Sequence, residues 1–434
     1  MLALVSQGVE PASSTPSYWP TWRGPLATGE APDADPPVTW SETQNIRWKV
    51  EVPGRGHASP VVWGELVFVL TAVPTDRDAE TAAASVDVPE RMRDMLVSSA
   101  KIQRFVILAY QRKDGAVRWE RTLHEAAPHQ GTHRDGSWAS ASPVTDGKHL
   151  FVSFGSQGLF CLDMDGTTVW SKDLGDMTVK MNFGEGSSPA LCGESIVVNW
   201  DHEGDSFIAA LSKQTGEELW RTPRDEITSW ATPLVVEHAG KTQVIVSATG
   251  RVRGYDAADG HVLWECSGMT ANVIPSPVFA DGTVYVMSGF RGNALLAIRL
   301  DAATGDITGS KEAVVWRHNK HTPYVPSPLL YRDSLYFVDS NRERLSCFDA
   351  KTGAVHFGPA EIDGLKGVYA SPLGAAGRVY VVGRNGVTAV LKHGTTLELL
   401  AVNTLDTSID ASPAAVGKEL YLRSISHLYC IAAE

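Results

Sequence analysis

A repeat constrains this chain more than any other feature. A Ser-Pro or Thr-Pro pair followed by a β-rich run recurs eight times, with its proline at Pro60, Pro143, Pro189, Pro233, Pro277, Pro328, Pro372 and Pro413. The spacings are 83, 46, 44, 44, 51, 44 and 41 residues. A second marker, a bulky residue opening a later strand, falls at Trp48, Trp119, Trp170, Trp220, Trp264, Trp316, Phe357 and Leu399. In five repeats a glycine stands four residues earlier, at Gly115, Gly166, Gly216, Gly260 and Gly353. Residues 233–264 show the content of one unit. Pro-Leu-Val-Val-Glu, Gln-Val-Ile-Val-Ser-Ala and Arg-Val-Arg-Gly-Tyr-Asp read as strands, Ala-Ala-Asp-Gly as a turn, and His-Val-Leu-Trp-Glu as a fourth strand. Four short strands at a period near 44 read as one propeller blade. Helical periodicity is missing almost throughout, which removes helical solenoids.

The two markers do not pair off in one frame. Trp48 precedes the first proline, and nothing bulky follows the last. Ring closure resolves this: strand 46–52 supplies the outer strand of the blade whose other strands lie in 413–432, and no sheet edge is left ragged. The expected fold is therefore all-β, an eight-bladed β-propeller of four-stranded antiparallel blades closed by the N-terminal strand. It forms one domain over 18–434 behind a disordered leader at 1–17. Without the repeat, 434 residues would suggest two or three domains.

Composition narrows the function classes. Net charge is −12 and basic residues form no long block, which excludes an electrostatic nucleic-acid binder. No run of 18 apolar residues exists, so no transmembrane segment is expected. The five cysteines are scattered without a CxxC pair and read as buried core thiols. Met1-Leu-Ala-Leu-Val-Ser-Gln lacks a basic region and a full apolar segment. It reads as the remnant of a signal peptide, hence a periplasmic or secreted protein.

Topology then locates the chemistry. With strand a innermost and d outermost, the a–b and c–d turns share one face, and they are short: Asp146-Gly, Asp281-Gly, Lys351-Thr-Gly, Asp259-Gly. The b–c turns and d-to-a connections share the other and are rich in His, Arg, Asn, Trp and Tyr. Marker to proline is 24 residues from Trp119 and 19 from Trp170, against 12 to 15 elsewhere. Loops held over a rigid scaffold are where function usually lies. A further insertion at about 74–103 falls in a b–c turn. Asp87-Val-Pro-Glu reads as a helix start there, with Met92, Met95 and Leu96 on one face, either a lid over the mouth or a surface helix. The residues three before each proline, His57, Ser140, Gly186, Trp230, Ile274, Val325, Tyr369 and Asp410, should face the axis.

The candidate site follows. His57, His129, His133, Glu185 and His202 are the groups for acid/base chemistry. Arg55, Trp138, Trp230, Asn272, Arg291, Tyr324, Tyr369, Arg384 and Asp410 are the ligand-binding candidates. Aromatic planes mixed with a few polar groups suit a saccharide or similar small molecule. Asp201 and His202 are of the types that hold a divalent cation, although His129 and His133 at i,i+4 do not sit on a helix. The alternative is that these groups bond one another and plug the axis. No phosphate loop or nucleophile elbow is present.

Tyr255-Asp-Ala-Ala-Asp-Gly-His-Val-Leu-Trp264 and Phe348-Asp-Ala-Lys-Thr-Gly-Ala-Val-His-Phe357 resemble the repeat of the pyrroloquinoline-quinone-like β-propellers. The likeness runs over residues 44–434, and Tyr18-Trp-Pro-Thr-Trp-Arg-Gly-Pro resembles bacterial secreted members. It implies three alternatives. Quinoprotein dehydrogenases bind the quinone and Ca²⁺ at the axis, commonly on a Trp and a disulfide between adjacent cysteines, and this chain has no adjacent pair, which counts against the quinone. Outer-membrane assembly lipoproteins are non-catalytic scaffolds for protein partners. A ligand-binding propeller, an enzyme on carbohydrate or a similar polar metabolite in one form, is the third and favoured reading, with propeller-shaped polysaccharide lyases as an analogy of fold.

Overall fold

The computed structural model describes residues 18–79, 89–98, 100–339 and 342–433. The leader at 1–17 and the cap at Asp87 lie outside the described residues. Eight antiparallel blades surround one axis, as the repeat requires. Blades 1 to 7 occupy 61–126, 144–172, 190–223, 234–266, 278–318, 329–361 and 373–404. Blade 8 takes its inner three strands from 414–432 and its outer strand from Ile46–Glu51. That strand pairs with the last one in antiparallel register, Trp48 opposite Cys430 and Glu51 opposite His427. The middle strands read as unbroken apolar runs because neighbouring blades cover both faces. Ser334–Asp339 is buried at every position.

Both sequence markers have a mechanical cause. In five blades the outer-strand tryptophan leans onto the next blade and donates from Nε1 to a c–d turn carbonyl: Trp48 to Arg112, Trp119 to Met164, Trp170 to Lys213, Trp220 to Ala257, Trp316 to Ala350. The marker glycine lies under that indole. A Cβ at Gly115, Gly166, Gly216, Gly260 or Gly353 would meet it at 2.4–2.9 Å, and φ there is 71–81°. Trp264 departs from the rule and bonds Gln243 within its own blade.

The Ser/Thr before each proline closes a second ring. The amide of Ser59 donates to the Ser142 hydroxyl, Ser142 to Ser188, Ser188 to Thr232, Thr232 to Ser276, Ser276 to Ser327, Ser327 to Ser371, Ser371 to Ser412, and Ser412 back to Ser59, all at 2.8–3.1 Å. The proline that follows has no N–H to satisfy, which suits a crowded axis.

Residues 18–45 hold a role the sequence did not reveal. They bridge Trp19 to Val62 in blade 1, and Pro20 accepts from Thr145 in blade 2. The segment then crosses the axis. Thr28 accepts from Leu330 in blade 6, and Glu30–Ala31 runs parallel to the inner strand of blade 7. Arg23 is buried at the crossing and donates to the carbonyls of Thr28, Pro328 and Pro372. Burial lowers its pKa to about 9.

The insertion of blade 1 is also built differently from expectation. Strands Leu66–Asp78 and Lys101–Gln111 run on past the blade as a long hairpin. The helical turn is a single 3-10 segment, Glu90–Met95, starting at Pro89 without a side-chain cap. Leu96–Val97 pairs with Thr132–His133 of the next d–a loop.

Candidate functional site

The eight residues three before the prolines all line one axial cavity of about 480 Å³. The eight Ser/Thr hydroxyl residues line it one level deeper, and Trp22 from the crossing segment lines it as well. Phe290 stacks on Tyr324 at 4.8 Å between ring centres, and Phe183, Trp230, Ile274 and Val325 extend the apolar wall. Trp230 is held by its Nε1 donating to Gly184 O at 2.7 Å. Met92 and Met95 of the insertion reach the same cavity.

A polar cluster interrupts this wall. Arg384, on the b–c turn of blade 7, lies 4.1 Å over the Tyr369 ring. It donates to both oxygens of Asp410 at 2.6 and 3.2 Å and to Asp135 at 3.0 Å. The fork geometry suits this double pairing. His57 Nε2 sits 3.8 Å from Asp410, buried, with no hydrogen-bond partner among the described residues. Burial, then the charges of Arg55, Arg423 and Arg384, push His57 down to about 3, so the imidazole is neutral at pH 7. Burial raises Asp410, although Arg384 opposes it. Burial likewise works against the charge on Asp135, but Arg384 holds that carboxyl below its usual range. Arg55 donates to the Arg134 carbonyl, and the Asp135 amide donates to His133 Nδ1 at 3.1 Å.

A smaller cavity of about 50 Å³ shares Glu185, Ser140 and Trp230 with the large one and adds His129, Trp138 and Asp201. Glu185 accepts from the Ser156 amide at 2.8 Å and from its hydroxyl. Its residue surface is partly open to the cavity while the carboxyl is enclosed by protein, and burial raises it to about 7. His129 pairs with Asp176 at 3.3 Å.

Four expected site residues are engaged elsewhere or lie outside the large cavity. Asp201 spends its oxygens on Arg224 at 2.6 and 3.0 Å, on Ser229 at 2.5 Å and on Asn199 at 3.2 Å. His202 Nδ1 accepts from Thr178 and Gly204 amides, and the residue lines neither axial cavity. Among the described residues no three His, Cys, Asp or Glu side chains gather as a metal site needs. Asn272 is buried against the Tyr324 hydroxyl behind the wall. Arg291 does not line the axial cavity: with φ of +51°, it lies 5.3 Å over the Phe290 ring and lines a separate cavity with Lys320 and His321. The sequence reading missed Phe183, Phe290, Trp22 and the hydroxyl ring. Only the ring had a signal, the Ser/Thr that precedes each proline.

The family model described as outer membrane protein assembly factor BamB, with PQQ-type repeats, matches residues 103–358 and again 204–434. The chain belongs to this PQQ-like propeller family. Among solved structures, BamB from Moraxella catarrhalis is 14% identical with a TM-score of 0.55, covering 83% of this chain and 97% of that one. Quinohemoprotein alcohol dehydrogenase ADHIIG from Pseudomonas putida HK5 is 10% identical with a TM-score of 0.56, over 95% of this chain and 80% of that one. The computationally designed Ika8 protein is 11% identical with a TM-score of 0.53, over 87% and 100%. At such identities the likeness is one of fold. No curated protein matches the chain.

Family members that carry a quinone and its calcium ion give a test of fit. All five cysteines here are free, buried and far apart in sequence, so no disulfide platform forms. Asp135 and Asp410 both pair with Arg384, whose guanidinium already takes the place a cation would occupy between them. These residues do not fit that cofactor pair.

Proposed function

We propose that this protein is a binding propeller that takes a ring-bearing polar metabolite, such as a saccharide, into its axial cavity. The observation that carries the reading is the cavity of about 480 Å³ with aromatic faces on one wall and the Arg384–Asp410–Asp135 cluster on the other. Its volume falls within the ordinary range of small-molecule sites. A flat ring face packs on Trp230 and Tyr324, and its hydroxyls meet Arg384, Asp410 and neutral His57. The insertion acts as a lid, because Met92 and Met95 lie over the cavity and Leu96–Val97 is tied to the mouth loop. The family's description points to the cell envelope, and among the described residues no helix is long and apolar enough to cross a membrane.

The test is a panel of sugars and polar ring metabolites read by intrinsic tryptophan fluorescence. Saturable binding, weakened at least tenfold by Trp230→Ala and by Arg384→Ala but not by Arg118→Ala on the outer rim, supports the proposal. Absence of saturable binding across the panel, or equal loss with all three variants, overturns it.

A second reading, a scaffold for a protein partner, is favoured by one feature. Leu399, Leu400 and Val402 stand exposed along the outer strand of blade 7, with Leu397 exposed just before it. A partner that uses this strand is lost on Leu399→Lys while metabolite binding is untouched.

A further inference from the structure

We infer a second ligand site, for a phosphate-bearing small molecule, on the rim between blades 5 and 6. The cavity there measures about 360 Å³ and is separate from the axial one. Arg291 comes from the b–c turn of blade 5, Lys320 and His321 from the d–a connection, and Arg342 from the b–c turn of blade 6. Three permanent cations therefore line one concavity in a chain whose net charge is −12. Among the described residues none of the three forms an ion pair with a carboxylate. One carboxylate, Asp339, also lines the recess; it is buried and lies 3.3 Å from His321 Nδ1.

Three cations against one carboxylate leave the recess with an excess of positive charge, and a bound anion relieves their mutual repulsion. Two guanidinium forks and one ammonium approach from three chain segments, an array that can surround a tetrahedral dianion from three sides. The backbone shapes the recess. Arg291 and His321 hold φ of +51° and +53°, and Gly292 follows at +151°. The volume exceeds what a bare phosphate fills, so the anion is the head of a larger molecule. The site stands independently of the axial reading, since the two cavities share no lining residue.

The experiment is calorimetric titration of the full chain with inorganic phosphate, pyrophosphate and succinate at a constant ionic strength of about 0.15 M, where loose surface attraction is largely screened. Saturable one-to-one binding of pyrophosphate, weakened at least tenfold by Arg291→Ala and by Lys320→Ala and unchanged by Arg118→Ala, supports the site. No saturable binding of pyrophosphate overturns it. So does equal weakening by Arg118→Ala, which marks a diffuse surface effect. Succinate binding as tightly as pyrophosphate overturns the assignment to phosphate. Circular dichroism of each variant separates lost binding from lost folding, because all three side chains are exposed and outside the core.

Discussion

Two levels of the same axis obey opposite rules. At the waist, one residue before each proline, seven blades carry Ser and one carries Thr. At the mouth, two residues earlier, the blades carry His57, Ser140, Gly186, Trp230, Ile274, Val325, Tyr369 and Asp410. Both levels line the axial cavity. The waist is uniform because each hydroxyl must accept the neighbouring amide or the ring of bonds breaks. The mouth is free to vary because no closure bond runs through those side chains. Repetition at one level and its absence at the next divides scaffold from site within two residues.

The largest effect should come from opening the ring. Deleting residues 1–52 removes the outer strand of blade 8, the Trp48 dock on blade 1 and the segment that crosses the axis. We expect loss of the cooperative urea transition. A truncated chain that still unfolds cooperatively, with a midpoint near that of the full chain, would show that closure does not hold the blades.

Next comes the waist. Ser371→Ala leaves the Ser327 amide buried without an acceptor. An orphaned buried donor costs about 1–3 kcal/mol. Thr232→Ser keeps the acceptor for Ser188 and should cost less than about 1 kcal/mol. Equal losses for the two variants would mean that packing, not the hydrogen bond, explains the recurrence of this marker.

The mouth carries two titrating groups of opposite sign. His57 is held near 3 in the fold against about 6.5 for a free imidazole. Its neutral form is what the fold accepts, so its contribution is present above pH 6.5 and is lost as pH falls toward 3. Glu185 is raised to about 7 against about 4.3. Its contribution is present below that free value and is lost as pH rises through 7. Each slope is at most about 1.4 kcal/mol per pH unit, the value for one proton. Urea midpoints against pH should therefore rise for His57→Gln relative to the parent at pH 4–6. For Glu185→Gln they should rise between pH 5 and 7. A flat difference curve for either variant would remove that residue from the buried set.

How much of this was legible follows the same division. Ring closure, blade count and the eight axis-facing positions were readable because they repeat at a fixed period. The Ser/Thr marker was visible, but its bond partner lies 41 to 51 residues on, or 83 in one case, or across the chain ends, where no local pattern reports it. The crossing segment gave no periodic signal, and Arg23 finds its partners more than 300 residues away. Arg291 was misplaced for a different reason. Its neighbour Phe290 faces the axis, and one left-handed residue sends the two side chains to different cavities. The expected helix at the insertion shrank to a 3-10 segment of six residues, which Pro89 starts without a capping side chain and Leu96 ends by joining a strand.

The smallest effect is the sharpest test of the comparison. Tyr369 and Ser371 lie two residues apart and both line the axial cavity. The Tyr369 ring lies beneath Arg384, and its hydroxyl has no hydrogen-bond partner among the described residues. Tyr369→Phe keeps the ring under the guanidinium and removes only that hydroxyl. We expect a stability change within about 0.5 kcal/mol, the range of substitutions that touch no buried bond. Ser371→Ala deletes one hydroxyl as well, yet should cost several times more because that oxygen holds the Ser327 amide. Urea unfolding of the two variants side by side decides it. If Tyr369→Phe costs as much as Ser371→Ala, the mouth is part of the scaffold and its variety along the chain has no functional meaning. If the two differ as expected, the tyrosine hydroxyl has no part in holding the fold, which leaves it available to a ligand as the proposed binding function requires.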